Sequence, residues 1–71
     1  MPDVLRAEMV GNVLDVLVAP GRAVVAGEPV VLLESMKMEI PVSSEVGGVV
    51  SDVPVTVGDV VQEGDVLVVL S

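Results

Sequence analysis

A chain of 71 residues allows one domain, near the lower size limit for independent folding. His and Cys are absent, and the eleven carboxylates are scattered singly, so we expect no metal site, no disulfide and no catalytic residues. A net charge of −8 argues against nucleic-acid binding, and the absence of a long apolar run argues against a membrane span or a secretion signal. We therefore expect a cytoplasmic protein that resists self-association and is a monomer.

Valine dominates an apolar fraction of 52%, and no aromatic residue is present, so an all-β protein with an aliphatic core is predicted. Strands are predicted over residues 3–9 and 12–18, with Gly11 as the break between them. Turn signals at Pro20-Gly21 and at Gly27 enclose a short extended piece at residues 24–25. The apolar run of residues 30–34 predicts a strand that is buried on both faces.

The second half of the chain predicts a similar series of strands and turns. Residues 38–42 alternate in polarity, and Pro41 cannot donate to a sheet ladder, so this strand is expected at an edge or at a bulge. A loop at residues 43–45 is followed by a strand over residues 47–53. Turns at residues 58–59 and 63–65 precede a final strand at residues 66–70.

The sequence repeats itself after 37 residues. The aligned pairs include Gly11 with Gly48, Asp15 with Asp52, Gly21 with Gly58, Gly27 with Gly64, and Leu33 with Leu70. We expect repeat halves of about residues 10–34 and 47–71, packed face to face about an approximate two-fold axis, since neither half can bury its apolar face alone. This symmetry predicts that residues 35–38, in the connection between the halves, lie opposite the chain ends.

Lys37 is the only lysine and lies in this connection. An activated lysine nucleophile requires desolvation or a neighbouring cation, and here Glu34 and Glu39 lie nearby instead. Lys37 is therefore better suited to acylation by another enzyme than to catalysis of its own. From residue types alone, an ordinary surface lysine flanked by core-filling methionines remains an equal alternative.

The stretch Glu34-Ser35-Met36-Lys37-Met38-Glu39 resembles the attachment motif of the biotinyl domain of biotin-dependent carboxylases, in the biotin/lipoyl attachment family. The resemblance covers nearly the whole chain, including both pairs of glycine turns. It implies a flattened β-barrel or sandwich of two four-stranded antiparallel sheets with quasi-two-fold symmetry, with the modified lysine on a hairpin turn. Ser35 departs from the alanine usual in carboxylases, and the chain has no room for the protruding thumb loop of some carrier subunits.

The resemblance further implies a non-catalytic biotin carboxyl carrier, either a small freestanding protein or a carrier domain. Lys37 would hold covalent biotin, attached by a biotin protein ligase, and would serve biotin carboxylase and carboxyltransferase subunits. The residues implied in recognition by the ligase are Met36, Met38, Glu34, Glu39 and Ser35. Because the chain begins with Met and holds a complete repeat, a freestanding protein is expected.

Two alternatives of different kinds remain open. The same fold with lipoate on Lys37 is the first, although lipoyl domains typically have Asp-Lys-Ala at the turn, whereas Met36 and Met38 stand here. An unmodified interaction or structural module, with Lys37 as a plain surface residue, is the second. A self-sufficient enzyme is disfavoured because the chain lacks His, Cys and any clustered acid–base pair.

Overall fold

The computed structural model describes residues 3–71, so the first two residues of the predicted domain lie outside the described part. Within that part no helix is present, and the chain forms eight strands. They are β1 (Asp3–Arg6), β2 (Gly11–Val16), β3 (Ala23–Val24), β4 (Pro29–Ser35), β5 (Met38–Ser43), β6 (Gly48–Asp52), β7 (Val60–Val61) and β8 (Val66–Leu70). The predicted all-β class is confirmed.

The strands form two four-stranded antiparallel sheets with the orders β1-β8-β6-β3 and β5-β4-β2-β7. Each sheet contains the two long strands of one repeat half and the short strand of the other half, and its fourth strand, β1 or β5, lies outside the repeat halves. The halves therefore interlock, whereas the repeat alone suggested two separate units. The cause is local: chain reversals at Gly21 and Gly27 precede and follow β3, and they carry this strand across to β6.

Backbone hydrogen bonds recur with the same 37-residue offset as the sequence. The bonds form pairs across the repeat: Gly21 N–H to Val50 O (2.8 Å) with Gly58 N–H to Val13 O (2.9 Å), and Gly27 N–H to Ser44 O (2.7 Å) with Gly64 N–H to Ala7 O (2.8 Å). The bulge between Val13 and Asp15 likewise has a counterpart between Val50 and Asp52. The quasi-two-fold symmetry thus extends to individual hydrogen bonds.

The core between the sheets consists only of Val, Leu and Ala side chains. Most of its members are related by the repeat: Val13 and Val50, Val24 and Val61, Val30 and Leu67, Val31 and Val68, and Leu33 and Leu70. Ala7 is matched by Ser44, the one buried polar side chain of residues 3–71, whose hydroxyl donates to the carbonyl of Val46. The core is therefore built from two copies of one arrangement of small aliphatic side chains, without any aromatic residue.

Several predicted boundaries differ from the structure. The first strand ends at Arg6 rather than at residue 9, because the register shifts after Leu5 and the chain leaves the sheet towards Gly64. Gly11 does not break a strand but begins β2, where a Cβ would lie 2.8 Å from the carbonyl oxygen of Glu34. A side chain at residue 11 would be too close to that oxygen, which explains why a glycine is present. The second strand ends at Val16, although Val18 is still part of the core.

The molecule measures about 32 × 19 × 17 Å. As predicted from its proline, β5 is an edge strand, and a register shift lies at the far end of its pairing with β4. Residues 3–71 contain no helix long and apolar enough to span a bilayer.

Candidate attachment site

Lys37 lies in the loop of the β4–β5 hairpin. Ser35 and Met38 face each other as the last pair of the ladder, so the loop consists of Met36 and Lys37 alone. Both loop residues have positive φ, 53° for Met36 and 64° for Lys37. Two positive φ values in a two-residue loop are typical of a type I′ turn, whose twist matches that of the flanking strands.

The sequence did not predict a type I′ turn, because such turns favour Asn-Gly in the loop, whereas the loop residues are Met36 and Lys37. The signal that could have revealed it is the spacing. The predicted strands at residues 30–34 and 38–42 are separated by three residues, which indicates a short hairpin loop, and the structure shortens the loop to two residues by extending β4 to Ser35. Because positive φ is uncommon for non-glycine residues, the turn holds Met36 and Lys37 in a strained backbone conformation.

The side chains at the turn point away from the core. Met36 is 92% exposed, Met38 is 64% exposed, and Lys37 is also exposed. Neither methionine fills the core, so the interpretation of these two methionines as core-filling residues is wrong. Within the described residues, Lys37 makes no side-chain hydrogen bond and no ion pair. Its amine is therefore available to a reagent or an enzyme that approaches from solvent.

Glu34 and Glu39 lie directly opposite each other on β4 and β5, one residue pair below Ser35 and Met38. Glu34 is half-buried and Glu39 is exposed. Like charges that face each other across a ladder repel. The sequence suggested that these carboxylates would neighbour the ammonium group, but neither is within ion-pair distance of Lys37. The ion pair that residues 3–71 do contain, between Arg22 and Glu28, lies on another turn.

The hairpin lies at the opposite end of the molecule from Asp3 and Leu70. These two residues pair with each other in the other sheet. From Asp3 the chain runs along β1 and continues through residues 7–10 to Gly11, which lies against Glu34 at the base of the hairpin. The length of the sandwich therefore separates Lys37 from Asp3 and Leu70, as the repeat predicts.

A cavity of about 540 Å³ lies between the two edge strands β1 and β5. Its lining includes the apolar residues Leu5, Leu33 and Val42, together with the carboxylates of Glu8 and Glu45. Lys37, Met36 and Met38 do not line it. The amine is thus presented on a protruding turn rather than in a pocket, which suits a group that enters the active site of another protein.

Comparison with known proteins identifies the family. The family model described as "Biotin-requiring enzyme" matches residues 1–70. The chain belongs to this family. It is 54% identical over 71 residues to the "Biotinylated protein TB7.3 homolog" of Mycobacterium leprae, with 100% of each chain covered. It is also 47% identical over 58 residues to the "Biotin carboxyl carrier protein of acetyl-CoA carboxylase" of Solanum lycopersicum, with 82% of this chain and 83% of that protein covered.

A solved structure supports the same assignment to the biotin-requiring family. The urea carboxylase of Kluyveromyces lactis superposes with a TM-score of 0.94 at 31% identity, over 100% of this chain but only 6% of that enzyme. The chain therefore corresponds to a small part of such a carboxylase. Together with the family model and the two relatives, this supports biotin rather than lipoate as the cofactor.

The residues at the turn fit covalent biotin. An amide to biotin requires a primary amine that is accessible from solvent and free of competing partners, and Lys37 meets both conditions among residues 3–71. It is the only lysine in the sequence, so a single side chain can carry the group in this way. The protruding turn leaves space around it on the solvent side.

Proposed function

We propose that this protein is a biotin carboxyl carrier, biotinylated on Lys37 by a biotin protein ligase, that moves carboxyl groups between biotin carboxylase and carboxyltransferase subunits. The observation that carries this proposal is the sole lysine on an exposed two-residue turn, flanked by Met36 and Met38. Membership of the biotin-requiring family supports it. We further propose that the carrier acts as a monomer in the cytoplasm.

Attachment is an acyl transfer to the Nζ atom of Lys37. The neutral amine attacks the activated carboxyl carbon of biotin, a C–N amide bond forms, and the activating group leaves with the bonding electrons. The amine loses a proton to the ligase, because Glu34 and Glu39 are too far from Lys37 to form an ion pair with it. The carrier supplies an accessible nucleophile, while the ligase supplies activation and general-base catalysis.

The chemistry that biotin supplies when bound is the carriage of a carboxyl group. The scaffold holds the attachment point at the end of a rigid hairpin, away from the chain ends. Because the group stays covalently attached, it does not have to be recaptured from solution between two active sites. The protein thus contributes position and effective concentration rather than catalysis.

We propose that the ligase recognises the surface around the lysine. Met36 and Met38 provide exposed apolar contacts beside Lys37. Glu34 and Glu39 add two negative charges that no cation within residues 3–71 neutralises. Ser35 closes the ladder opposite Met38. A complementary ligase surface would be apolar at its centre and basic at one side.

The test is intact mass after coexpression with a biotin ligase, followed by an avidin gel shift. We expect one biotinyl group on the native chain and none on Lys37→Arg, which keeps the positive charge but removes the primary amine. The control is the double variant Lys37→Arg with Val57→Lys, which moves the single lysine to another exposed turn, where Val57 is 56% exposed. It should remain unmodified, because the ligase reads the hairpin and not merely an amine.

Other outcomes would contradict the proposal. Biotinylation of the double variant would show that an exposed lysine alone is sufficient and that the Met-Lys-Met turn has no special role. A native chain that stays unmodified by an active biotin ligase, but is acylated by a lipoate ligase, would favour the lipoyl alternative. A chain modified by neither enzyme would favour an unmodified interaction module.

A further inference from the structure

Methionines are the only readily oxidised side chains in this protein. The sequence contains four Met and no Cys, Trp, Tyr or His. Two of the four, Met36 and Met38, flank Lys37 and are 92% and 64% exposed. Met9 is half-buried near the cavity between β1 and β5. Exposure of the thioether sulfur controls how readily an oxidant reaches it. Within residues 3–71, most of the exposed oxidisable surface therefore lies on the attachment turn, residues 35–38.

We propose that Met36 and Met38 form an oxidation site at which peroxides control the acylation of Lys37. In each reaction a lone pair on the thioether sulfur attacks one oxygen of the peroxide, and the O–O bond breaks as an S–O bond forms. Sulfur loses two electrons, and for hydrogen peroxide the second oxygen leaves as water. The product is a methionine sulfoxide, which reductases specific for each sulfoxide epimer convert back to methionine.

Oxidation changes the chemistry of the turn more than its shape. A thioether is apolar and flexible, whereas a sulfoxide is polar and strongly hydrated. The two methionines are already in solvent, so the carrier itself loses little stability. The effect falls on any protein that must remove water from Met36 and Met38 in order to reach Lys37. This part of the inference rests on the proposed acylation of Lys37.

The chain allows each methionine to be followed separately. Trypsin cleaves after Arg6, Arg22 and Lys37, so the unmodified protein gives peptides 1–6, 7–22, 23–37 and 38–71. Each peptide contains one methionine, namely Met1, Met9, Met36 or Met38. Hydrogen peroxide is added to the folded, unbiotinylated protein, and the gain of one oxygen atom in each peptide is measured against time. We expect Met36 to react fastest, followed by Met38, with Met9 slower than both.

The second measurement is the rate of biotinylation of oxidised and untreated protein by a ligase added after the peroxide has been removed. An apolar contact that becomes an unpaired polar one should slow the reaction about tenfold or more. Treatment with methionine sulfoxide reductases should restore the original rate. Met9→Leu is the matched control and should keep its sensitivity to peroxide. The double variant Met36→Leu with Met38→Leu should be biotinylated at the same rate before and after peroxide treatment.

The two steps fail in distinguishable ways. If Met9 reacts as fast as Met36, the attachment turn is not a selective oxidation site. If Met36 and Met38 are oxidised but biotinylation keeps its rate, control of acylation is refuted while the carrier function stands. If untreated protein is not biotinylated at all, the proposed function fails and control of acylation fails with it, whereas the peptide map still decides the selectivity of oxidation.

Discussion

Met36 and Lys37 occupy the left-handed region of backbone conformation, with φ of 53° and 64°. Such backbone conformations persist only where the surrounding structure holds them in place despite their energetic cost. Here that structure is the ladder of β4 and β5, whose pairs continue from Leu33 and Ile40 up to Ser35 and Met38. The strain is thus located at Met36 and at Lys37, the proposed attachment point.

Replacing Met36 with Asn should stabilise the protein. Asn tolerates positive φ better than Met does, and relief of one strained residue is worth about 1 kcal/mol in the free energy of unfolding. The exposed Met36 side chain gives up almost no buried surface in exchange. Urea unfolding of the two proteins measures the difference, and biotinylation should be slower in the variant because an apolar contact is missing.

The matched control is Met38→Asn. Met38 lies in β5 and is not among the residues with positive φ, so Asn relieves no strain there and is disfavoured in a strand. This variant should be slightly less stable than the native chain. If both variants changed stability in the same direction, the turn strain would not be the cause.

At this scale, the sequence predicts the position of Lys37 on an exposed turn between the repeat halves. The turns at Gly21 and Gly58 are equally predictable, because glycine is favoured where a turn requires positive φ. Both glycines have positive φ in the structure. The positive φ of Met36 is not predictable from its own residue type. It follows from the requirement that two paired strands be joined by only two residues, which is a property of the hairpin.

At the scale of the element, the β4–β5 hairpin has a repulsive pair of charges near its tip. Glu34 and Glu39 face each other across the ladder, and Asn12 lies on the other side of Glu34 in β2. No cation among the described residues forms an ion pair with either carboxylate. A repulsive contact that the scaffold does not relieve is consistent with a role in recognition by a partner.

Glu39→Gln should therefore stabilise the fold and slow biotinylation. Removing one of two facing like charges is worth about 0.2–1 kcal/mol in the free energy of unfolding. The gain should shrink in high salt, because the repulsion between exposed charges is screened. Thermal or urea unfolding at low and high salt measures the first effect, and the rate of biotinylation by the ligase measures the second.

Glu28→Gln provides a control of opposite sign. Glu28 accepts from the guanidinium of Arg22 and from the backbone N–H of Val25, away from the hairpin tip. Its neutralisation should lower stability slightly and leave biotinylation unchanged. Glu39→Gln with reduced stability, or with unchanged biotinylation, would contradict the interpretation of the acidic pair.

The long strands could be located from the sequence, whereas the short ones could not be paired. Residues 66–70 and 30–34 are apolar runs of strand length, and both form strands close to the predicted bounds. A two-residue strand such as β3 or β7 has no periodicity that would reveal its partner. Its pairing follows from the turns on either side of it, which direct it into the opposite sheet.

At the scale of the molecule, the exchange of β3 and β7 makes the two sheets interdependent. We propose that the repeat halves, residues 10–34 and 47–71, are not stable separately, because β3 pairs only with β6 and β7 pairs only with β2 within residues 3–71. The core also makes the two sheets depend on each other, since the repeat-related Val13 and Val50 belong to opposite sheets.

Cutting the chain between Val46 and Gly47, both exposed, should give two fragments that are unfolded alone. Mixed in equal amounts, fragments 1–46 and 47–71 should recover the native sheets, with a dependence on concentration that the intact chain lacks. Amide chemical-shift dispersion in NMR spectra of each fragment and of the mixture provides the measurement. A folded fragment 1–46 on its own would show that the second half is dispensable.

The hairpin loop would also limit how a group attached to Lys37 moves. Because only Met36 and Lys37 lie outside the Ser35–Met38 pair, we expect the Cα atom of Lys37 to move with the sandwich. Only the rotatable bonds of the lysine side chain and of its load provide independent reach. Two active sites separated by more than that reach cannot be served by bending of the tip. The whole 32 Å body must then travel between them, and its diffusion sets the upper limit on the rate of transfer.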